Sequence, residues 1–349
     1  MPLFHPDNFS SPEITYKLLP ETPKGFNEIL GAYFDSFAIV EAWQRDRSEI
    51  NSLNYKVVVK TPAGIEQVLV RKFQALTDLE QIRFWLEIVA KLFKNGVPVG
   101  APRRAKTGEL FISYNDGRYV LFDFIEGQHF SPSLPGLASV ARAIATMHRG
   151  FHVLGETEVA KIADLSKKSY TYFNKIPTYT ANDFVSLKPF VDNSVSGYLD
   201  AFATCADEVA KNKEQISALP LQVVHSDLHP HNVLMRGDEV AALLDFDGLR
   251  VSQRARDVAF AIYRFGRQFF VRQMNVTPPE IRQTFLDAYE AVWPLSPDEK
   301  QLLPTLVKDE FLTKTLFVLR GVYLENNQTW AKDLSKFLPA IEEIEYLYE

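Results

Sequence analysis

The sequence has a single cysteine, Cys205, so no disulfide can form within the chain. It also lacks an apolar run near the ~18 residues needed to cross a bilayer. The first residues, MPLFHPDNFSSPEITY, have neither the basic region nor the apolar region of a secretion signal. These absences predict a cytoplasmic protein with no membrane contact.

Positive charge is scarce as well. Lys and Arg number 38 against 44 Asp and Glu, which gives a formal net charge of −6 and predicts no binding of nucleic acid. Internal repeats and low-complexity tracts are absent. What remains is an ordinary globular composition, with 46% hydrophobic and 23% charged residues. A chain of 349 residues suffices for two medium domains or one bilobal enzyme.

The first part of the chain predicts an antiparallel sheet with one helix. NYKVVVKT and IEQVLVRKF flank the turn signal PAG, and GELFISY and RYVLFDFIEG flank NDG, so each pair predicts a hairpin. Between them, LTDLEQIRFWLEIVAKLFKNG has apolar residues at helical spacing and ends at Asn95-Gly96. We expect residues 1–122 to form this strand-rich lobe.

Residues 123–349 predict a mostly helical lobe, with amphipathic stretches such as LASVARAIATMHRGF and RDVAFAIYRFGRQFF. One clear β signal interrupts it. NVLMR and EVAALLDFD flank Gly237-Asp238, which predicts a hairpin with a two-residue turn. The fold class expected from both halves is α+β and bilobal.

The stretch VVHSDLHPHNVL, which precedes that hairpin, is rich in polar groups between apolar ends. His225, Asp227, His229 and His231 alternate, so on an extended strand they would point one way and could hold zinc. Against this, Pro230 breaks a regular strand, and no further cluster of histidine or cysteine follows. A turn whose polar groups cap the backbone is a third interpretation.

Phosphoryl transfer is the interpretation that the neighbouring residues favour. Asp227 and Asn232 have the spacing of the kinase pattern H-x-D-x-x-x-x-N. Asp245 follows the predicted hairpin, which would fold it back beside Asn232. Oxygen ligands of this kind suit magnesium, and a carboxylate such as Asp227 can orient a hydroxyl group and accept its proton.

The whole segment VVHSDLHPHNVLMRGDEVAALLDFDG resembles the catalytic core of the aminoglycoside phosphotransferase / choline kinase / homoserine kinase superfamily, whose fold is protein-kinase-like. The usual bacterial pattern is close to H-G-D-L-H-P-G-N-V-L, followed by a strand that ends in I-D-F. NGVPVGAPRRAKTGELFISYNDGRYVLFDFIEGQHF and LASVARAIATMHRGF also resemble segments of this family. The resemblance covers nearly the whole chain and implies an ATP- and Mg²⁺-dependent kinase of a small hydroxylated metabolite.

The resemblance also implies roles for individual residues. Asp227 would be the catalytic base, acting with Asn232, and Asn232 and Asp245 would be the magnesium ligands. Further expected roles are support of the loop by His225 and Asp257, and contact with substrate or a second metal by His229 and Asp247. Asp257 would also cap the helix that begins near it.

For the nucleotide, the resemblance implies that Lys72 pairs with the α- and β-phosphates, although a shift of one residue would put Arg71 there. Trp85 stands where the family has a helix glutamate. The segment QRDRSEINSLNYKV, which matches the phosphate loop, is not glycine-rich. Side chains or backbone amides of this segment must then donate the hydrogen bonds to the phosphates. Further candidates for nucleotide contacts are Ser48, Ser52 and Asn54 in that segment, and Phe122 and Phe124 at the hinge, although the two aromatics are more typical of core.

The expected acceptor is a small molecule with a hydroxyl group, such as an amino alcohol, an aminosugar, a homoserine-like compound or an aminoglycoside. Two alternatives share the fold. One is a bacterial Ser/Thr protein kinase, and the other is a nucleotide-binding pseudokinase, which the missing helix glutamate would explain.

Overall fold

The computed structural model describes residues 4–6, 11–46, 52–73, 78–168 and 175–349. The chain divides into two units, which are called here the sheet unit and the helical unit. The sheet unit holds Pro12–His129 and Val233–Asp247, and the helical unit holds Met1–Ser11, Phe130–Asn232 and Gly248–Glu349.

In the described part of the sheet unit, six strands form one antiparallel sheet, accompanied by two helices. The strands are β1 (Tyr16–Leu18), β2 (Ala38–Arg45), β3 (Ser52–Thr61), β4 (Gly64–Phe73), β5 (Ile112–Tyr114) and β6 (Gly117–Asp123), and the helices are α1 (Phe26–Gly31) and α2 (Leu79–Lys94). The strands lie in the order β1-β2-β3-β4-β6-β5. Both predicted hairpins of this region are therefore confirmed, as β3–β4 and β5–β6.

The two faces of this sheet bury different side chains because successive residues of a strand point to opposite sides. Val68 and Val70 of β4 lie in an apolar cluster with residues of α1. Phe73 of the same strand lies in a second cluster, with Ile82 and Leu86 of α2. The position of a residue along β4 thus decides which helix its side chain faces.

Helix α2 begins and ends where its sequence predicts. The side chain of Asp78 caps the helix by accepting a hydrogen bond from the backbone N–H of Glu80 at 2.8 Å. Asn95 is the C-terminal cap residue, and Gly96 follows with φ of 78°, a left-handed conformation that glycine adopts without strain.

The third hairpin, β8 (Val233–Arg236) with β9 (Glu239–Leu243), belongs to the sheet unit. Two contacts attach it there. The N–H of Leu243 donates to Pro98 O at 2.7 Å, and Gln128 and Met235 exchange backbone hydrogen bonds of 3.0 and 2.7 Å. The sheet unit therefore ends at His129 and takes in this hairpin from later in the chain. The sequence predicts one boundary between the two lobes, after residue 122.

The helical unit contains ten described helices and one pair of strands. They are α3 (Leu134–Gly150), α4 (Glu156–Lys168), α5 (Ala181–Val185), α6 (Asn193–Lys211), α7 (Lys213–Ala218), α8 (Arg254–Val271), α9 (Pro278–Glu290), α10 (Pro297–Tyr323), α11 (Leu334–Phe337) and α12 (Ala340–Tyr348), with β7 (Leu221–Val224) antiparallel to β10 (Arg250–Gln253). The predicted α+β class is confirmed. The pairs β1–β2 and β7–β10 are additions that the sequence patterns do not predict. Within the described ranges, no helix combines the length and the apolar character that crossing a bilayer requires.

Helix α8 runs through the core of the helical unit, and its residues from Ala255 to Phe269 are all buried. Such burial requires partners for its charged residues. Arg267 Nε lies 2.6 Å from Glu343 Oε2 on α12, and the two side chains are 1% and 0% exposed. The hydroxyl of Tyr263 donates to the same carboxylate at 2.6 Å. This buried ion pair joins α12 to α8.

We expect Glu343→Gln to lower the free energy of unfolding by about 3 kcal/mol, because a neutral amide leaves the buried guanidinium of Arg267 uncompensated. Glu342→Gln is the matched control, since Glu342 is the exposed neighbour on the same helix. Urea unfolding of both variants measures the difference. Equal midpoints for the two variants would show that the pair does not hold α12 in place.

Candidate active site

The polar loop, residues 225–232, follows β7 in the helical unit. Its second residue, Ser226, has φ of 72°, where the related pattern H-G-D has glycine. A residue with a side chain pays a cost on the order of 1 kcal/mol or more in such a conformation and keeps it only when its surroundings hold it. The loop ends in a short 3₁₀ turn over Pro230–Asn232. Its backbone is therefore specified by contacts from outside the loop.

Asp257, in the first turn of α8, makes the main contact of this kind. Its carboxylate accepts hydrogen bonds from two successive backbone N–H groups, His225 N at 2.6 Å and Ser226 N at 3.0 Å. The side chain is 3% exposed. The N-cap residue of α8 is Gln253, so Asp257 holds the polar loop and does not cap the helix.

A histidine that the sequence analysis missed completes this arrangement. His148 of α3 is fully buried, and its Nε2 lies 3.2 Å from Asp257 Oδ2. Its Nδ1 lies 2.8 Å from the hydroxyl of Tyr289 on α9. Each ring nitrogen of His148 thus has a partner, and the histidine links Asp257 to α9. The sequence signal was a lone histidine among the apolar residues of α3.

Asp227 is the carboxylate that the loop presents, with half of its side-chain surface exposed. Its Oδ2 lies 3.3 Å from His229 Nε2. His229 Nδ1 accepts the N–H of His231 at 3.2 Å, so the ring carries its proton on Nε2, facing Asp227. Burial opposes ionisation, but His229, Lys314 and His225 outweigh it and hold the pKa of Asp227 well below its ordinary value. Asp227 is therefore an ionised proton acceptor.

Asn232 is oriented by the same loop. Its Nδ2 donates to the backbone carbonyl of Asp227 at 2.8 Å, which leaves Oδ1 as the atom that can face a cation. An amide oxygen is a ligand that magnesium accepts. By contrast, no three His, Cys, Asp or Glu side chains in the described ranges are arranged around a common metal position. The zinc interpretation thus finds no ligand set there, and His231 Nε2 instead lies 3.0 Å from Ser11 O.

A second set of contacts holds the Ser226 side chain, and sequence reasoning missed it as well. Arg250 Nε donates to Ser226 Oγ at 2.8 Å, and Arg250 Nη2 donates to Glu310 Oε2 at 2.9 Å. Glu310 is 1% exposed and also lies 3.2 Å from Lys314 Nζ on the next turn of α10. The serine hydroxyl thus compensates for the conformation that glycine would adopt freely.

Asp245 and Asp247 follow β9 in the sheet unit. Asp245 has φ of 64°, a left-handed conformation that is uncommon outside glycine and is concentrated at functional sites. Both aspartates are exposed, whereas Phe246 between them is 5% exposed. The buried phenylalanine anchors a turn that presents two carboxylates to solvent.

The two adjacent cations at the end of β4 lie in different environments. Lys72 Nζ is 5.7 Å from the centre of the Tyr119 ring, and the described residues offer Lys72 no ion pair. Arg71 Nη2 lies 3.3 Å from Asp247 Oδ2, and its guanidinium carbon lies 4.7 Å from the centre of the Phe73 ring. Arg71, not Lys72, is therefore the cation that contacts the turn after β9.

The remaining nucleotide candidates lie in or beside the sheet. Ser52 is 1% exposed, and Asn54 is half-buried opposite Arg71 on β4. Phe122 packs against the apolar cluster beneath α2, and the Phe124 ring lies 4.5 Å from Lys56 Nζ. Ser48 lies outside the described residues. Their assignment to nucleotide binding stays a prediction.

Comparisons with known proteins identify a family and a fold. The model of the phosphotransferase enzyme family matches residues 43–298. A homoserine kinase of Bradyrhizobium sp. (strain ORS 278) is 26% identical over 247 residues, which cover 66% of this chain and 66% of that protein. A homoserine kinase of Methylobacillus flagellatus is 24% identical over 262 residues, which cover 74% and 75%. The match to the first of these relatives spans just under two thirds of its length.

Solved structures share the fold. Spectinomycin phosphotransferase, crystallised with ADP and spectinomycin, superposes with a TM-score of 0.63 at 16% identity, over 95% of this chain and 98% of that one. A microcompartment-associated aminopropanol kinase superposes with a TM-score of 0.54 at 18% identity, over 91% and 92%.

We expect Asp257→Asn to lower the free energy of unfolding by about 2 to 4 kcal/mol. An amide has one acceptor oxygen in place of two, and its NH₂ group would face a loop N–H. Asp116→Asn is the control, because Asp116 lies in an exposed turn of the sheet unit. Chemical unfolding measures both variants, and an unchanged Asp257→Asn stability would contradict the bracing role.

The stability difference between the wild type and Asp257→Asn should also depend on pH. Burial opposes ionisation of Asp257, but hydrogen bonds and charge from His148 and His225 lower its pKa. A lowered pKa in the folded state gives stability that is present above the unfolded value of about 3.9 and is lost as pH falls through the folded value. The stability difference between wild type and Asp257→Asn should stay level above about pH 5 and shrink below about pH 4. A difference that grows on acidification would contradict a lowered pKa of Asp257 in the folded state.

Proposed function

Since the chain belongs to the phosphotransferase enzyme family, we propose that it transfers the γ-phosphate of ATP, with Mg²⁺, to a hydroxyl group of a small molecule. The observation that carries the proposal is Asp227. This carboxylate is ionised and half-exposed, and it stands in a loop whose backbone is fixed by Asp257. The chain is thus a kinase that uses a small alcohol as acceptor.

Asp227 orients the acceptor hydroxyl and takes its proton as the bond to phosphorus forms. An aspartate is ionised at neutral pH even at its ordinary pKa, and the lowered pKa of Asp227 extends the ionised range to lower pH. His229 holds Oδ2 through Nε2, which leaves Oδ1 for the hydroxyl. The loop therefore fixes both the position of the base and its protonation state.

Magnesium, when bound, neutralises the charge that collects on the phosphate oxygens. Asn232 would hold it through Oδ1, because Nδ2 is committed to the carbonyl of Asp227. Asp245 would supply a carboxylate oxygen, since its side chain is exposed at the end of β9. Both are the hard oxygen ligands that magnesium takes in small numbers beside phosphates.

The acceptor is a small hydroxylated metabolite, and the relatives suggest where to begin. Two of them are homoserine kinases, and one structural neighbour is an aminopropanol kinase. Homoserine and aminopropanol are both small molecules that carry an amino group and a hydroxyl group. We therefore place compounds of this size first, ahead of aminosugars and aminoglycosides.

The proposal predicts that ADP release with Mg-ATP depends on one member of an acceptor panel and on Asp227. The panel holds homoserine, 1-amino-2-propanol, ethanolamine, choline, hexosamines and several aminoglycosides. Asp227→Asn should lower kcat by about 10²- to 10⁴-fold, because the base is lost, and should leave ATP affinity within about twofold. Asp116→Asn, the exposed control, should match the wild type.

Three results would contradict the proposal. Equal turnover of the wild type and Asp227→Asn would remove the catalytic base. Tight ATP binding without ADP release on any acceptor would favour the pseudokinase alternative. Phosphorylation of a protein, with no activity on the panel, would favour the protein-kinase alternative.

A further inference from the structure

His231 is the second residue of the polar loop, after Ser226, that departs from the related pattern. H-P-G-N has glycine at this position, whereas this chain has a histidine whose side chain is half-buried. Its Nε2 lies 3.0 Å from the backbone carbonyl oxygen of Ser11. Because a carbonyl oxygen only accepts, the ring donates this hydrogen bond. The histidine thus makes a side-chain contact that glycine could not make, and its partner lies 220 positions away in the sequence.

Ser11 belongs to the N-terminal segment, residues 1–11, which is part of the helical unit. The carbonyl of His5 in this segment accepts a hydrogen bond of 2.7 Å from Arg267 Nη2. Arg267 is the buried arginine of α8 that also pairs with Glu343. The segment is therefore attached to a side chain whose position the core of the helical unit already fixes.

An aromatic contact anchors the same segment. The ring of Phe4 stacks on Phe270 of α8, with ring centres 4.9 Å apart, and meets Tyr346 of α12 edge-on at 5.9 Å. The rings of Phe270 and Tyr346 are themselves in edge contact at 5.3 Å. Aromatic rings in these arrangements attract one another beyond the effect of the area that they bury. The helical unit thus holds the segment at two places, at α8 and α12 and at the polar loop.

His231 connects this segment to Asp227. The backbone N–H of His231 donates to His229 Nδ1 at 3.2 Å, and His229 Nε2 lies 3.3 Å from Asp227 Oδ2. Anchoring the ring of His231 therefore also fixes the backbone N–H that orients His229 toward Asp227. At the same position, glycine would leave the backbone with its full conformational freedom.

We propose that the N-terminal segment holds the polar loop in position through His231. The inference rests on the proposed function only for its effect on turnover, because the order of the loop can be measured without any reactant. His231 is then a positioning residue, which acts on Asp227 through His229.

Hydrogen exchange of the full chain, with no ligand present, measures the order of the loop. His231→Leu keeps a side chain of comparable bulk but removes the donor. It should raise amide exchange in a peptide that covers residues 225–234 by about 2- to 12-fold, the range for one neutral hydrogen bond. His231→Gln, whose amide can donate from nearly the position of Nε2, should return the exchange to within about twofold of the wild type. Equal exchange in His231→Leu and the wild type would overturn the proposal.

A second variant tests the N-terminal segment itself. Phe4→Ala removes the contacts with Phe270 and Tyr346 and should raise exchange in the same peptide. Phe190→Ala is the matched control, because Phe190 is a phenylalanine of the same unit that is 59% exposed, and it should leave the exchange unchanged. If the segment acts through His231, adding Phe4→Ala to His231→Leu should raise the exchange no further. Additive increases, or an increase spread evenly over the whole unit, would overturn the role of the segment.

Turnover tests the consequence for catalysis. With Mg-ATP and the acceptor that the panel identifies, His231→Leu should lower kcat by about 10-fold, because a displaced loop misplaces the base. The KM for ATP should stay within about twofold, since no group assigned to the nucleotide is removed. His231→Gln should recover most of the lost kcat. An unchanged kcat in His231→Leu would overturn the positioning role.

The two measurements separate this inference from the proposed function. If exchange rises in His231→Leu while the wild type phosphorylates no acceptor, the segment still holds the loop and the proposed function fails. If the wild type is an active kinase and exchange in His231→Leu is unchanged, the inference fails and the proposed function stands.

Discussion

The acceptance of two successive backbone N–H groups by the carboxylate of Asp257 is the interaction on which the polar loop depends. One carboxylate accepts both His225 N–H and Ser226 N–H, which fixes the backbone at the start of the loop, and the φ of 72° at Ser226 then turns the chain. The turn sets the direction of Asp227, the next residue. Because the carboxylate is buried, it needs a partner of its own, which His148 supplies. The orientation of Asp227 is thus fixed by groups that need not touch any substrate.

Ser226 shows how this chain tolerates a departure from the glycine of the related pattern. The conformational cost of a side chain at positive φ is offset by the hydrogen bond that its hydroxyl accepts from Arg250. Arg250 is in turn held by Glu310, a buried carboxylate on α10. Serine in place of glycine therefore links the polar loop to α10, through Arg250 and Glu310, in addition to the link to α8 through Asp257. We regard Ser226 and Arg250 as a coupled pair, since neither has the same environment without the other.

Sequence patterns predicted much of the local structure. Period-two alternation, turn residues and the capping residue Asp78 are short-range signals, and they located three hairpins and α2. The strands β7 and β10 were missed because their pairing joins residues about thirty positions apart across the loop and hairpin. His148 and Glu310 were missed for a related reason. The partners of His148 lie on α8 and α9, and Arg250, a partner of Glu310, lies on β10. A single buried polar residue on a helix does not indicate which distant partner it meets.

The neighbours Arg71 and Lys72 mark the limit of sequence reasoning on this chain. Alternation along β4 requires that they face opposite sides of the sheet, and this much is local. Which side faces α2 is a tertiary property, because it follows from the packing of Phe73 against that helix. The family pattern could not decide it either, since Trp85 occupies the glutamate position that would have identified the partner. Only the contact with Asp247 distinguishes the two cations. Among the described residues, the carboxylate that contacts a cation of β4 comes from the turn after β9, and the contact joins residues 176 positions apart, which no local pattern indicates.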